Sequence, residues 1–472
     1  MWNLLKMVAQ QAADLGTDVY LVGGAVRDLL WGLRPRDLDL AVANGALDLA
    51  RRMADRHRGT LVVLDGQRQM ARVVFKQDYQ LDFSPFKGAH IEGDLRARDF
   101  TINAMALHLN SLCSSKNCTS PADQGWRSFL VDPTGGKRDL QLGLLQATGN
   151  EALLDDPLRV IRGVRLAAQF NLSITPETVV LMRQGARRIE QVAGERIWQE
   201  LGQALTLPHV HHWVEFMDRE LNLWQYLLPG RLRMEATEQN YYHVENVWRH
   251  CLRTFGCLEI VLKKYQFYHH LAGGATGPAV FKLAALLHDV GKPDTAKIRP
   301  DGRISFYGHA QAGVPYAEAL ADRLRLSGME RQYLVTLIRH HMQPLHYFLN
   351  KGYSDLKVFR LFRLLEGSFL DILILSLADV TATYTASERL SELTAYREYI
   401  LKLIHRYEHE PEFFHPAKLL SGKDLIALGV PEGPLVGKFL ARLAEMQITG
   451  AVTDLHSAKQ WVIAELKNIT PQ

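Results

Sequence analysis

The pattern of apolar residues changes near residue 150, and this change limits the folds open to the chain more than any other feature of the sequence. From Tyr20 to Gly149, short β-type runs such as VYLVGG and GTLVVLD alternate with helical stretches such as GALDLARRMADRH and ARDFTINAMAL (97–107). From Asp155 onward, apolar residues recur three and four positions apart, which is the periodicity of an amphipathic helix. We therefore predict an α+β domain followed by an all-α body.

The length of 472 residues predicts several domains, because one domain usually takes roughly 100–200 residues. We predict a head over 1–150, a helical neck over 151–235, a helical domain over 240–385 and a helical tail over 386–472. The polar segment 111–126 is typical of an exposed hairpin insertion, and a Gly-rich break covers 271–278.

Composition excludes several classes of protein. With 47% hydrophobic and 22% charged residues and a mean hydropathy of −0.11, the chain is neither fibrous nor broadly disordered. Charges interrupt the apolar runs LAALLHDV and LFRLLEGSFLDILILSLADV, so we expect no membrane-spanning helix, and the N-terminus lacks the pattern of a signal peptide. Its cysteines fit neither a disulfide framework nor a zinc site, which favours a cytoplasmic location; they are Cys113, Cys118, Cys251 and Cys257.

Positive charge is concentrated in one region of the chain. The net charge is only +4, but residues 157–200 contain seven Arg and no Lys against four Glu. A local excess of Arg agrees with a polyanionic partner such as nucleic acid.

The segment LVGGAVRDLLWGLRPRDLDLAV (21–42) combines a Gly-Gly turn between a strand and a helix with a second strand that carries two carboxylates. Residues i and i+2 of a strand point to the same face, so Asp37 and Asp39 present paired oxygen ligands of the kind that Mg²⁺ prefers. Gly23 and Gly24 let backbone N–H groups approach a phosphate, and Arg27 can reach the same anion. Either half of this pattern alone would be an ordinary turn or a pair of exposed charges, but together they predict a nucleoside triphosphate site.

A second polar pattern opens the helical part of the chain, in DDPLRVIRGVR (155–165). On a helix Asp156, Arg159 and Arg162 lie one turn apart on one face, and apolar residues occupy the other face. A carboxylate acceptor beside a guanidinium donor suits the hydrogen-bonding edge of a base. The alternative is a solvated helix face with weak surface ion pairs.

These motifs, in this order, resemble one known family. GGAVRD and DLDLA are followed by ARDFTINAMAL (97–107), DPTGG (132–136), DDPLRVIRGVRLAAQFNLSITPET (155–178) and ERIWQEL (195–201). The chain thereby resembles the class II tRNA nucleotidyltransferases, which include CCA-adding and CC-adding enzymes, and the related bacterial poly(A) polymerases.

The resemblance implies a polymerase-β-like head and template-independent transfer of C or A from CTP or ATP to the 3′ end of tRNA, by two-metal in-line phosphoryl transfer. It implies that Asp37 and Asp39 hold Mg²⁺, and that Asp156 and Arg159 select the base. The predicted nucleotide-binding residues are Gly23, Gly24, Arg27, Arg98, Asp99, Asn103, Asp156, Arg159 and Arg162. Asp82 is either a third carboxylate near the metals or a charge at the edge of the sheet.

One departure from the family pattern bears on the product. Only KGAHIEGDLRA (87–97) separates the strand YQLDFSPF from the second motif, where enzymes that add the whole CCA end have a longer flexible loop. Resemblance to members without that loop implies addition of the two C residues alone. The chain also lacks the basic run after the Asp-x-Asp strand that tends to mark poly(A) polymerases, which makes poly(A) synthesis a weaker alternative.

A second predicted site lies in the helical domain. His250, His288-Asp289 and Asp379 fall on separate predicted helices, and buried His and Asp side chains are costly unless a metal or hydrogen bonds satisfy them. His309 and His340-His341 are additional candidates for metal ligands or phosphate contacts.

This pattern resembles HD-type phosphohydrolases, which implies a divalent transition metal or Mg²⁺ and hydrolysis of a phosphomonoester or a 2′,3′-cyclic end. Helix-end histidines that are hydrogen-bonded in a core are the alternative. A further alternative for the whole chain is a working HD hydrolase whose head serves only to bind RNA.

Overall fold

Apart from one short hairpin, the strands that this computed structural model describes end at Ile174, and helices make up most of the described chain beyond that residue. The structure describes residues 1–75, 79–114, 125–240, 244–267, 271, 276–350 and 354–469. The chain divides into two compact units: Met1–Ala204 with Phe216–Tyr226, and Leu205–Glu215 with Leu227–Gln472. The predicted order of an α+β part before an all-α part is therefore confirmed.

The first unit is built on a mixed sheet. Its strands are β1 (Val19–Val22), β2 (Asp37–Val42), β3 (Thr60–Asp65), β4 (Met70–Val74), β5 (Gln80–Pro85), β6 (Ala106–His108) and β7 (Leu130–Val131). They lie in the order β3-β4-β5-β2-β1-β6-β7, in which β2 and β5 run parallel and the other neighbours run antiparallel. Two shorter strands, β8 (Leu144–Leu145) and β9 (Ser173–Ile174), pair separately.

Helices surround this sheet and continue beyond it. In chain order they are α1 (Trp2–Asp14), α2 (Gly24–Leu30), α3 (Ala46–His57), α4 (Ile91–Arg96), α5 (Leu109–Ser114), α6 (Gly136–Leu142), α7 (Leu158–Phe170), α8 (Pro176–Ala186), α9 (Gly194–Thr206), α10 (His211–Arg219) and α11 (Trp224–Leu227). Thr175 caps α8 by accepting a hydrogen bond from the Thr178 N–H, and Pro176 begins the helix where a missing N–H is harmless.

The alternation of β2 positions the carboxylates as predicted. Leu38 and Leu40 are buried on one face of the sheet, whereas Asp37 and Asp39 lie on the other face, where the strand begins. Successive side chains of a strand point to opposite faces of the sheet. Core residues and candidate site residues therefore alternate over four consecutive positions, 37–40.

The helix predicted for ARDFTINAMAL (97–107) is wrong. The segment forms a 3₁₀ turn over Thr101–Asn103 and then enters β6. The Asp99 Oδ1 atom accepts hydrogen bonds from the Phe100 N–H at 2.8 Å and from the Asn103 amide at 3.4 Å, and local bonds of this kind compete with an α-helix.

Two predicted interruptions fall partly on residues outside the described ranges. Residues 115–124 of the hairpin insertion and residues 272–275 of the Gly-rich break are among them. The described flanks of the insertion are helical rather than extended, because α5 reaches Ser114 and a 3₁₀ helix covers Gly125–Phe129.

The described residues of the second unit form helices and one short hairpin. The helices are α12 (Arg231–Glu235), α13 (Val247–Lys264), α14 (Gly277–Leu287), α15 (Lys292–Thr295), α16 (His309–Ala312), α17 (Val314–Leu324), α18 (Gly328–His340), α19 (Gln343–Leu349), α20 (Asp355–Leu365), α21 (Phe369–Ala386), α22 (Leu390–His409), α23 (Pro411–Phe414), α24 (Gly422–Ala427), α25 (Pro434–Ile448) and α26 (Leu455–Ile469). The hairpin pairs β10 (Lys297–Ile298) with β11 (Ile304–Ser305).

Helix α21 runs through the core of this unit and packs against α13 and α22. It is the one described helix that is long and apolar enough to cross a membrane, with a mean hydropathy of 1.4. Two acidic residues interrupt its apolar sequence, as the sequence analysis predicts. Protein surrounds 78% of this helix, and its Asp371 and Asp379 side chains are buried, as in the core helix of a folded domain.

A buried ion pair attaches the segment 205–215 to the rest of the second unit. The Lys282 ammonium lies 2.6 Å from the Glu259 carboxylate and donates a second hydrogen bond to the Leu207 carbonyl. Glu259 also accepts hydrogen bonds from the backbone N–H groups of Val210 and His211. Burial alone would raise the pKa of Glu259, but Lys282 and these hydrogen bonds lower it, so the carboxylate stays ionised.

We predict that Lys282→Met destabilises the protein by about 3–5 kcal/mol, because it leaves the Glu259 charge buried without its partner. Urea unfolding followed by tryptophan fluorescence measures this loss. Lys263→Met, which removes an exposed ammonium from the end of α13, is the matched control and should change stability by less than about 0.5 kcal/mol. Equal stability of the two variants would contradict the prediction.

Candidate active sites in the two units

The Gly-Gly turn of the first unit lies directly against two predicted site residues. Gly23 has a φ of +73°, and a Cβ atom there would come within 2.9 Å of the Arg98 guanidinium and 3.7 Å of the Asp39 carboxylate. Glycine is favoured here because side chains rarely adopt this backbone conformation, and a Cβ atom would also displace the end of the Arg98 side chain. The turn before α2, the strand β2 and the segment before the 3₁₀ turn therefore meet at one place.

The carboxylates of this site lie on neighbouring strands. Asp39 on β2 is the register partner of Asp82 on β5, and β5 lies inside the sheet, so Asp82 is not at its edge. Arg72 binds both Asp82 oxygens at 2.7 Å. Loss of hydration raises the pKa of Asp39, and the negative charges of Asp82 and Asp37 add to the rise, whereas Arg98 opposes it.

A chain of hydrogen bonds joins the other predicted residues. The Arg27 guanidinium donates to Asn103 Oδ1 at 2.8 Å, and the Asn103 amide donates to Asp99 at 3.4 Å. Asp99 accepts a further bond from Arg162 at 3.4 Å, and the Arg162 Nε group donates to Glu200 at 2.8 Å. The structure thus connects α2, the 3₁₀ turn, α7 and α9 through polar side chains.

Asp156 and Arg159 have separate partners in the structure. The Arg159 guanidinium donates to the Ala152 carbonyl at 2.7 Å and to the Ala97 carbonyl at 3.4 Å. Asp156 pairs with Arg196 of α9 at 2.9 Å. Nothing in the sequence assigns Arg196 or Glu200 to the site, because pairing between helices leaves no signal in the spacing of residues along one helix.

The predicted metal residues of the second unit form a buried cluster. The Nε2 atoms of His250 and His288 lie 3.4 and 3.3 Å from Asp289 Oδ2, and 2.9 and 3.7 Å from Asp379 Oδ1. Helices α13, α14 and α21 bring these four side chains together, and all four are buried.

Asp289 links this cluster to a second group of histidines. Its other oxygen, Oδ1, lies 3.1 Å from His309 Nε2 and 3.7 Å from His341 Nε2. His340 is outside the groups of side chains that could share an ion, so the structure separates the two adjacent histidines. Burial opposes ionisation of Asp289, but Lys292 and His288 hold its pKa well below the usual range, so it is available as an anionic bridge.

Three of the histidines are oriented in the same way. The Nδ1 atoms of His288, His309 and His341 lie 2.9, 2.8 and 2.8 Å from the carbonyl oxygen three residues earlier in the chain. A carbonyl accepts only from a protonated nitrogen, which leaves the lone pair on Nε2 for a metal. Each Nε2 atom points into the Asp289 cluster.

Comparison with known proteins identifies the domains in which the two candidate sites lie. Residues 19–146 match the poly(A) polymerase head domain, residues 171–233 the probable RNA- and SrmB-binding site of polymerase A, and residues 247–383 the HD domain. The chain is 32% identical to the A-adding tRNA nucleotidyltransferase of Deinococcus radiodurans, over 94% of each chain. The chain belongs to the tRNA nucleotidyltransferases.

Two further matches show how closely this tRNA nucleotidyltransferase follows its family. It is 32% identical to the CC-adding tRNA nucleotidyltransferase of Thermus thermophilus, over 94% of this chain and 93% of that protein. Its fold matches the Thermotoga maritima CCA-adding enzyme complexed with tRNA, with a TM-score of 0.64 and 22% identity over 98% of this chain and 95% of that one.

These matches confirm the predicted family, the α+β head with a helical remainder and the HD domain of this tRNA nucleotidyltransferase. The bounds of the four predicted segments and the roles of individual residues stay predictions. The donor sets of both sites fit divalent metals: Asp37 and Asp39 offer hard oxygens, and the second unit offers imidazole nitrogens around carboxylates.

The geometry of the Asp289 cluster predicts that this cluster holds two ions. We expect the Asp39→Asn protein, in which the head site is impaired, to retain about two Mn²⁺ ions after loading and desalting, and His309→Ala in that background to retain about one. His340→Ala is the matched control and should leave the content unchanged, because His340 lies outside the cluster. Inductively coupled plasma mass spectrometry gives the counts. Equal metal content in the His309 and His340 variants would contradict the prediction.

Proposed function

We propose that the chain adds two C residues to the 3′ end of tRNA from CTP. The observation that carries this proposal is the short, packed connection between β5 and Arg98. Within it, α4 buries Ile91 and Leu95, and the Lys87 N–H donates to the Asp94 carboxylate at 3.1 Å. Residues 86–97, all of them described, contain no long loop of the kind that CCA-adding members use to change from C to A.

The residues of the first site supply the groups that this reaction needs. We propose that Asp37 and Asp39 hold Mg²⁺, whose charge would stabilise the phosphoryl transfer. The Gly23-Gly24 turn and Arg27 would bind the triphosphate. The remaining roles would be contacts to ribose and phosphate by Arg98, Asp99 and Asn103, and contacts to the base by Asp156, Arg159 and Arg162.

The transfer forms one bond and breaks another at phosphorus. The 3′-hydroxyl of the tRNA gives up its proton to solvent, and its oxygen bonds to the α-phosphorus of CTP while the bond from that phosphorus to the bridging oxygen breaks and pyrophosphate leaves. The network from Arg27 to Glu200 holds its cationic groups in place before the nucleotide binds, so little reorganisation is needed during the reaction.

We also propose the division into a head over 1–150, a neck over 151–235, an HD domain over 240–385 and a tail over 386–472 that contacts the body of the tRNA. A hydrophobic core within the tail supports its separation from the HD domain. This core includes Leu420, Leu425, Phe439 and Val462. A cytoplasmic location is consistent with the tRNA substrate and agrees with Cys251 and Cys257 being free thiols.

The product test uses tRNA transcripts that end at the discriminator base, at C and at CC, each with CTP, ATP or both, resolved at single-nucleotide length. We expect two C residues to be added and no A on the CC transcript. Asp39→Asn should lower the rate by more than about 100-fold, because it removes a charge from the metal site.

Each other outcome would assign a different member of the family. Completion to CCA would contradict the argument from the short connection, and addition of A alone would give the activity named for the Deinococcus radiodurans relative. Long A tracts on unrelated RNA would indicate a poly(A) polymerase. No incorporation by the wild-type chain would favour a head that only binds RNA.

We propose a second activity for the HD domain, hydrolysis of a phosphomonoester or a 2′,3′-cyclic phosphate at a nucleotide or RNA end. The cluster of His250, His288, Asp289 and Asp379 supports it, because a divalent ion held there would lower the pKa of a bound water. The mixture of imidazole and carboxylate ligands favours a transition metal over Mg²⁺.

We expect the two activities to be separable by mutation. Asp289→Asn should abolish hydrolysis of 2′,3′-cyclic AMP, measured by chromatography, and leave addition of C within about twofold of wild type. Asp39→Asn should have the reverse effect, because the two sites use different side chains. Loss of both activities in the Asp289 variant, with its melting temperature unchanged, would contradict their independence.

A further inference from the structure

The side chain of Arg27 is held on three sides. Its Nε and Nη2 groups donate to Asp28 Oδ1 at 2.9 and 2.7 Å, and Nη1 donates to Asn103 Oδ1 at 2.8 Å. The third contact is not a hydrogen bond: the guanidinium carbon lies 4.2 Å from the centre of the Phe170 ring. Arg27 is only 7% exposed, so this contact is largely shielded from water.

The guanidinium retains donors for a ligand. An arginine has five N–H groups, and the bonds to Asp28 and Asn103 use three of them. A Cβ atom at Gly24 would lie 3.4 Å from Nη2, so the absent side chain of Gly24 leaves room beside the guanidinium, at the turn that faces the proposed triphosphate. Small changes in the position of Arg27 would therefore alter its reach to the phosphates.

Phe170 is itself fixed by a second aromatic contact. Its ring packs on Trp31, with the ring centres 4.9 Å apart. Trp31 ends α2 four residues after Arg27, so Phe170 covers two side chains that lie one helical turn apart. The attraction of a guanidinium to an aromatic face is strongest where water is excluded, as it is for Arg27.

Phe170 is also the last residue of α7, and Arg159 and Arg162 lie near the start of the same helix. A helix of this length is rigid over about 18 Å, so a shift of α7 acts at both ends at once. Helix α7 therefore carries Arg159 and Arg162, which are proposed to contact the base. It also carries the Phe170 ring, which contacts Arg27, the residue proposed to bind the triphosphate.

We propose that Phe170 is a positioning residue that fixes Arg27 for triphosphate binding, and that it thereby couples the base-reading end of α7 to the triphosphate site. This inference rests on the proposed role of Arg27. It implies that the affinity for CTP depends on the aromatic face of Phe170 and not only on the volume of its side chain.

The test measures the Kd of CTP with Mg²⁺ by isothermal titration calorimetry and the KM for tRNA by steady-state kinetics. Phe170→Leu keeps an apolar side chain but removes the aromatic face, and we expect a Kd for CTP about 5- to 30-fold higher with an unchanged KM for tRNA. Phe170→Tyr keeps the face and should bind CTP within about twofold of wild type. Phe413→Leu is the matched control, because Arg406 lies 3.7 Å from the Phe413 ring in the second unit.

A double-mutant cycle with Arg27→Ala separates positioning from general loss of structure. If Phe170 acts through Arg27, Phe170→Leu should have no further effect on the Kd of CTP in the Arg27→Ala background. An equal effect in both backgrounds would overturn the inference, as would an unchanged Kd in Phe170→Leu where Arg27→Ala weakens CTP binding. A normal Kd in Arg27→Ala would instead refute the proposed role of Arg27 on which the inference rests.

Discussion

The position of α7 against the head depends on the ion pairs of Arg162. Its guanidinium lies between Asp99 of the head, at 3.4 Å, and Glu200 of α9, at 2.8 Å, and Glu200 also binds Arg165 at 2.7 Å. Burial alone would lower the pKa of Arg162. The two carboxylates outweigh this effect and raise the pKa, so the guanidinium stays charged. Without Arg162, Asp99 would lose a cationic partner in a buried setting, and desolvated charges of that kind are strongly unfavourable. The geometry proposed to read the base therefore rests on ion pairs within the protein that form before any nucleotide binds.

Sequence periodicity identified the strand that carries Asp37 and Asp39, because a period of two is visible in the residues themselves. It failed for residues 97–107, where apolar spacing suited a helix but the side chains of Asp99 and Asn103 formed local bonds instead. The separate partners of Asp156 and Arg159 could not be predicted either, because Arg196 and the Ala152 carbonyl reach them only through tertiary packing. The local sequence pattern thus located the strands and helices that carry the site. Which side chains of the site pair with each other is decided by the tertiary fold.

The second site shows the same limit. Adjacent histidines at 340 and 341 are equal candidates in the sequence, but they leave the end of α18 in different directions. His341 places its Nδ1 atom 2.8 Å from the Ile338 carbonyl, which aims Nε2 at Asp289, whereas His340 remains half-buried outside the cluster. What distinguishes them is the hydrogen bond from Nδ1 to the carbonyl three residues earlier, which His341 makes and His340 does not, and this bond can form only once the helix end has formed. The same arrangement at His288 and His309 indicates that backbone geometry, more than the number of histidines, prepares this centre for metal.

Repulsion among carboxylates explains why the head needs Arg72. Asp37, Asp39 and Asp82 lie on two adjacent parallel strands, and loss of hydration together with the neighbouring charges raises the pKa of Asp39. Arg72 binds both oxygens of Asp82 and neutralises one of the three charges without touching the other two. Asp37 and Asp39 then remain as the carboxylates at the site proposed to bind a divalent cation. Such a cation binds the ionised form of a carboxylate, so it would reverse the rise in the pKa of Asp39. Without Arg72, the third charge would add to the repulsion at Asp39 and favour its protonated form, which competes with metal. The ion pair beside the site would therefore support metal binding, because it sets the charge of Asp39, which is proposed to hold the ion.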